Sequence, residues 1–325
     1  MTYAFDPELA PWVDRLRPAD YGDVPAARAQ MRELFAGRPQ VAVPDSVRIR
    51  DLVARGDDAA IEVPVRVYTP VDGAEPLPAL LYVHGGGFVL GDLEMVHAKM
   101  IRFAAELGIV VVSVDYRLAP EHPFPAGLQD SYAALQWAVR EAGELRIDIA
   151  RIGVAGDSAG GAIAAGLVLF ARDQHGPELC FQLLDFPATD DRLQTPSATE
   201  YDDTPNVDGP SLQVIWRHYL GADVEPGSAE VSQYAAVARA TDLSGLPPTY
   251  ISTSQFDPVR DDGIDYAQRL ARAGVPTELH LYPGTFHGSG LVADAAVSRR
   301  AAADQLDALR RGLRVGASSS EHAGV

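Results

Sequence analysis

The chain has 325 residues, 47 % of them hydrophobic and 22 % charged, a composition that suits one large buried core rather than a disordered or fibrous protein. Its formal net charge of −18 disfavours nucleic acid and anionic membrane surfaces, both polyanions that attract Lys and Arg. The single cysteine, Cys180, excludes an intramolecular disulfide, a Cys-based zinc site and a CxxC redox motif, and it reads as a small buried residue beside a strand.

Residues 1–45 read as amphipathic helices (WVDRL, AARAQMRELF) ahead of the main body, with no basic region followed by an apolar stretch. No run anywhere approaches the roughly 20 apolar residues of a membrane helix, so no membrane association is expected and the expected location is the cytoplasm. VRIRDLV and AIEVPVRVYTP then alternate as two half-exposed strands joined by a turn, an antiparallel entry to a sheet. The next runs are short, apolar and rich in branched residues: ALLYVH at 79–84, IVVVSVD at 109–115 and RIGVAG at 151–156. They read as strands buried on both faces, and further ones are expected at 181–187, 248–253 and 277–282. Helical patterns lie between them at about 94–107, 127–142, 159–173, 262–273 and 292–312. Alternating strand and helix predicts a mostly parallel sheet with helices on both faces, its core formed by 46–187 and 241–315. Residues 188–240 form a Pro/Asp-rich insertion with one helix, SLQVIWRHYL, which together with residues 1–45 is long enough to make a lid. The tail from Gly316 (GASSSEHAGV), chiefly 316–325, has no apolar face and is expected to be disordered. The last strand, PTELHLY, is a candidate sheet edge through which two copies would form a homodimer. Among the 27 basic residues only Lys99 is lysine, which reads as coding bias or surface adaptation.

Five segments carry chemistry. His84-Gly85-Gly86-Gly87-Phe88 stands at the C-terminal end of ALLYV, where open α/β sheets bind ligands, and its consecutive glycines leave backbone amides unobstructed. Such amides stabilise an alkoxide-like oxygen by about 3 kcal/mol each. A phosphate loop fits less well, because the G-x-x-x-x-G-K-[ST] pattern and a nearby lysine are missing. Gly156-Asp157-Ser158-Ala159-Gly160 joins the strand RIGVA to the apolar helix GAIAAGLVLFA, the context of a G-x-S-x-G nucleophile elbow. The competing reading makes Ser158 a plain N-cap. With the N–H of Ala159, the glycine run offers a three-donor set for the oxygen.

A serine in this setting needs a base later in the chain, beyond the last strand. Of the histidines after Ser158, His175 ends a helix, His218 sits in the insertion, His280 lies within a strand and His322 is in the tail. His287, in the loop PGTFHG after the last strand, is left as the base. The orienting acid belongs in the turn after TYISTSQ, where Asp257 is the first carboxylate reached. Asp261 and Asp262 stand at the next helix start and read as caps or dipole partners. Met31, Phe35, Phe88, Leu212, Trp216 and Tyr219 are candidate pocket or lid residues, with Phe88, Trp216 and Tyr219 taken as substrate-binding, and each fits a core role equally.

HGGGF, YRLAPEHPFPA (116–126), GDSAGG (156–161), FDPVRDDG and FHG, in this order, make the chain resemble the bacterial hormone-sensitive-lipase-like esterases over about residues 45–312. The resemblance implies an eight-stranded α/β-hydrolase core, a lid from the N-terminal helices and the insertion, no cofactor, and hydrolysis of short to medium acyl esters. It also implies Ser158 as nucleophile, His287 as base and Asp257 as its partner. Gly86, Gly87 and Ala159 would be oxyanion donors, Gly85 would be a donor or structural, and His84 and Asp157 would hold loop structure. Gln255 departs from the pattern, because relatives often carry an acid there. Two alternatives stay open: an amidase or deacetylase using the same residues, and a small-molecule receptor on this fold. The receptors that resemble the family lack the catalytic histidine, so His287 favours an enzyme.

Overall fold

The computed structural model describes residues 3–36, 41–56, 61–73 and 76–316. The expected disordered tail therefore falls, apart from Gly316, outside the described residues. The N-terminal segment holds a 3-10 turn at Ala10–Arg15, where a first helix was expected, and helix α1 (Val24–Ala36). Strands β1 (Val47–Arg55) and β2 (Glu62–Pro70) pair antiparallel, as their alternating pattern predicts. β3 (Leu77–Val83), buried along its whole length, leads to α2 (Leu93–Leu107) and β4 (Val110–Val114). α2 starts where the Asp92 carboxylate accepts the Glu94 and Met95 amides at 2.9 and 3.1 Å, and it stops at Gly108 in the left-handed region, φ 64°.

α3 (Ala126–Arg140) ends earlier than expected, and a one-turn helix α4 (Ala142–Leu145) follows. β5 (Ile147–Asp157) then runs into α5 (Ala159–Asp173), which is apolar nearly all round because it lies between the sheet and α3. β6 (Phe181–Asp185) is followed by a segment that holds α6 (Pro196–Glu200) and α7 (Gly209–Leu220), so the region expected to carry one helix carries two. β7 (Thr249–Phe256), α8 (Arg260–Arg272), β8 (Thr277–Phe286) and α9 (Ala296–Gly312) complete the fold. α9 begins four residues later than the apolar pattern suggests, because a 3-10 turn at Ser289–Leu291 intervenes.

The eight strands are ordered β1-β2-β4-β3-β5-β6-β7-β8, with every pair from β4 to β8 parallel. α3 and α5 share one core cluster, and α2 and α9 share another. The C-terminal ends of β3, β5, β6, β7 and β8 thus converge on one rim of the sheet, where parallel sheets place ligands. Over this rim the N-terminal segment and the insertion touch each other: the Asn206 amide donates to the Leu16 carbonyl at 2.6 Å, and His218 Nε2 donates to the Tyr21 carbonyl at 2.9 Å. No helix among the described residues is long and apolar enough to cross a membrane. Cys180 is half-buried beside the start of β6, and burial pushes its thiol up to about 11.

Candidate active site

Ser158 sits between β5 and α5 with φ 54° and ψ −120°, a conformation L-residues avoid, and its side chain caps nothing. The N-cap reading therefore fails, and the geometry is that of a strained elbow. It is held by close backbone approach: a Cβ on Gly160 would lie 2.2 Å from the Val83 carbonyl oxygen and 2.4 Å from that of His84. The first turn of α5 is thereby pressed against the end of β3.

The Ser158 Oγ lies 2.8 Å from His287 Nε2, and His287 Nδ1 lies 2.9 and 3.0 Å from the two carboxylate oxygens of Asp257. A carboxylate only accepts, so Nδ1 carries the proton and Nε2 is left to accept from the serine. Asp257 is 0 % exposed and His287 3 %. Asp257 Oδ1 also takes the Val259 amide at 2.9 Å, which fixes the carboxylate's orientation. Phe186 packs edge-on against His287 with ring centroids 4.9 Å apart, and the Asn206 side-chain amide donates to the His287 carbonyl at 3.1 Å. The sequence reading passed over Asn206, although an Asn within a Pro/Asp-rich turn is a residue suited to its φ of 68°.

Gly86, Gly87 and Ala159 line the same cavity as Ser158 and His287. Gly85 does not: it faces the Asp157 side chain, and a Cβ there would meet its Oδ2 at 2.7 Å. The glycine run is anchored from behind. His84 Nδ1 donates to the Gly85 carbonyl at 2.8 Å, stacks on Tyr116 at 4.4 Å, and has its pKa lowered by burial, so it stays neutral. Asp157 accepts the Tyr82 hydroxyl at 2.5 Å.

The cavity measures about 600 Å³. Its lining includes the apolar side chains of Met31, Phe35, Phe88, Leu212 and Ile215, and also Lys99 of α2 and Gln305 of α9. Trp216 and Tyr219 do not line it. Trp216 is 0 % exposed and Tyr219 3 %, and Tyr219 stacks on Phe88 at 3.7 Å while Trp216 packs on both. They back Phe88 rather than meet a ligand, which corrects their assignment as substrate-binding residues.

Asp261 and Asp262 lie in the first turn of α8 yet cap nothing at its N-terminus. Asp261 pairs with Arg260 and accepts the Ser197 amide at 2.9 Å, while Asp262 accepts the Asp190 amide at 3.1 Å, so both tie the insertion to α8. Burial, helped by repulsion from Asp190, raises the Asp262 pKa well above the usual carboxylate range. The folded protein therefore holds this proton more tightly than the unfolded chain does. The stabilisation is full below the unfolded carboxylate value and is lost as pH rises through the raised folded value. Asp262→Asn keeps the shape and has no proton to lose. Its melting temperature relative to the unsubstituted protein should rise between about pH 5 and pH 8. A difference constant across that range would contradict the assignment. Gln255, the departure noted in the sequence, uses its side-chain oxygen to accept the Gly284 amide at 2.7 Å.

A sequence profile described as alpha/beta hydrolase fold matches residues 80–290. Carboxylesterase NlhH of Mycobacterium tuberculosis is 43 % identical over 294 residues, 89 % of this chain and 90 % of the relative. Esterase LipI of the same organism is 40 % identical, covering 88 % of each. Among solved structures, one titled Bacterial Heroin Esterase superposes with a TM-score of 0.93 at 50 % identity, covering 96 % of this chain and 98 % of that one. The Pyrobaculum calidifontis esterase gives 0.83 at 35 % identity, covering 96 % and 99 %.

Proposed function

The chain belongs to the α/β-hydrolase fold family, among the bacterial hormone-sensitive-lipase-like esterases, and is a carboxylic-ester hydrolase; on that premise we propose that Ser158, His287 and Asp257 are its catalytic triad. The observation that carries this reading is the unbroken hydrogen-bonded chain from Ser158 Oγ through His287 to the buried Asp257. His287 Nε2 takes the serine proton as Oγ attacks the ester carbonyl. The developing oxyanion is received by the amides of Gly86, Gly87 and Ala159. As the tetrahedral intermediate collapses, the imidazolium returns its proton to the departing alcohol, leaving the acyl group on Ser158. Water then enters, gives a proton to His287 and attacks the acyl-enzyme, and the carboxylic acid leaves as the proton passes back to Oγ. Asp257 stabilises the imidazolium at both stages. Ser158→Ala tests the reading: ester hydrolysis should vanish in a folded protein, and retained turnover would overturn it.

The substrates are soluble esters with short to medium acyl chains, which the apolar lining of the cavity would take beneath a lid formed by the described part of the N-terminal segment and the insertion 188–240. Butyrate-type esters should turn over faster than emulsified long-chain triglycerides, and the reverse order would contradict this. The same reading places the protein in the cytoplasm and joins two copies through β8, an edge of the sheet whose Leu279 and Leu281 are exposed. A dimeric mass at micromolar concentration is expected, and a monomeric one would remove the contact.

A further inference from the structure

One largely buried carboxylate outside the triad is held by β7, α2 and α9 and stands next to the serine and histidine of the site. Asp185 ends β6, and its backbone carbonyl accepts the Ser158 amide at 2.8 Å. The next residue, Phe186, has φ 38°, and its ring makes a T-shaped contact with that of His287, centroids 4.9 Å apart. The junction 185–186 thus braces the backbone of the serine and the ring of the histidine at once. Three further segments hold the Asp185 side chain, which is 13 % exposed. Ser252 of β7, the strand that leads to Asp257, donates its hydroxyl to Oδ1. Gln305 of α9, the helix after the His287 loop, donates its amide to Oδ2 at 2.7 Å. Lys99 of α2, the helix after the glycine run, places its ammonium 3.7 Å from Oδ2. The chain's single lysine therefore lines the cavity, over the rings of Tyr82 and Phe103 at 5.3 and 5.8 Å.

We propose that Asp185 is a positioning residue: its carboxylate, held by Ser252, Gln305 and Lys99, fixes the 185–186 junction and through it the Ser158 backbone and the His287 ring. The inference rests on the triad reading above. Ser252 donates to one carboxylate oxygen and Gln305 to the other, so an asparagine removes the charge that faces Lys99 and forces one of these two partners to turn round, and the junction would relax. Misplacement of reacting groups by less than an ångström lowers the chemical step while leaving substrate binding largely intact. Burial raises the Asp185 pKa and Lys99 opposes that shift. The other groups facing the carboxylate are Asp157 of β5, which is hydrogen-bonded to Tyr82 of β3, and Tyr250 of β7. Removing Lys99 therefore extends the range of pH over which Asp185 is protonated and the junction is loose.

The test uses the full chain and a soluble butyrate ester. Asp185→Asn should lower kcat by about 10- to 100-fold with KM changed less than about threefold. In Lys99→Met the acid limb of kcat should move up by roughly half a pH unit or more, and in Lys99→Arg it should return towards the original position. A purely structural role would lower thermal stability without moving that limb. Asp185→Asn within about twofold of the original kcat, or superimposable pH profiles for Lys99→Met and the unsubstituted protein, would overturn the proposal. If Asp185→Asn does not fold, the two Lys99 variants decide alone. Ser158→Ala run in parallel separates the two readings: residual activity there sinks the triad, whereas an inactive Ser158→Ala beside an unaltered Asp185→Asn sinks only the positioning role.

Discussion

Replacing Asp257 by asparagine is expected to lower kcat by about 10⁴ while leaving the fold intact. The direction follows from the contacts of the two carboxylate oxygens. Oδ1 accepts the Val259 amide at 2.9 Å, so an asparagine keeps its oxygen there and turns its NH₂ towards His287 Nδ1. That NH₂ donates, which drives the imidazole proton to Nε2, the atom that must accept from Ser158. The nucleophile then faces a donor instead of a base. Asp261→Asn and Asp262→Asn should behave differently, because their carboxylates bind the insertion and not the histidine. Their effects should appear in stability, at about 1 kcal/mol, with kcat little changed. Retention of more than about a tenth of kcat by Asp257→Asn, with a thousandfold loss in either neighbour, would require the acid to be reassigned.

Gly86→Ala is expected to cost about 10²–10³ in kcat for each oxyanion donor it displaces. Gly86 has φ 114°, and a Cβ on it would stand 2.2 Å from the Leu90 carbonyl oxygen. That oxygen belongs to backbone and cannot rotate away, so the turn must open. The Val89 and Leu90 amides both bond to the Gly86 carbonyl, at 3.2 and 2.8 Å, so an opened turn also moves Gly87. The triad hydrogen bonds do not pass through this loop. Acylation of Ser158 by a strong electrophile should therefore survive better than turnover of an ester, and equal losses in the two would argue against an oxyanion role.

The sequence makes the centre of the sheet legible because β3, β4, β6, β7 and the second half of β5 are largely buried on both faces and read as apolar runs between turn residues. The proposed triad is legible for a related reason: Ser158, Asp257 and His287 each stand at the end of a strand, where local punctuation marks the place. What does not show is whatever depends on how distant elements dock. Leu212, Ile215, Trp216 and Tyr219 form one apolar stripe of α7, but only the first two reach the cavity, and the docking angle of the helix decides which. Trp216 and Tyr219 consequently looked like pocket residues when they are the layer behind Phe88. Asp261 and Asp262 have the spacing of helix-start acids, and nothing local reveals that the insertion folds back onto them. The Asp185 cluster joins residues 86 and 120 positions apart in the chain, and neither Lys99 nor Gln305 belongs to a motif.

Hydrolysis through an acyl group carried on Ser158 requires that serine to be the nucleophile that a covalent reagent captures. The most direct measurement is intact-mass and peptide-mass analysis after exposure to an organophosphate-type reagent, with activity followed in parallel. One adduct per chain is expected, located on the peptide containing Ser158, with loss of activity proportional to labelling and no adduct in Ser158→Ala. Full activity in a fully labelled protein, or a stoichiometric adduct on a different residue that tracks the loss of activity, would contradict it.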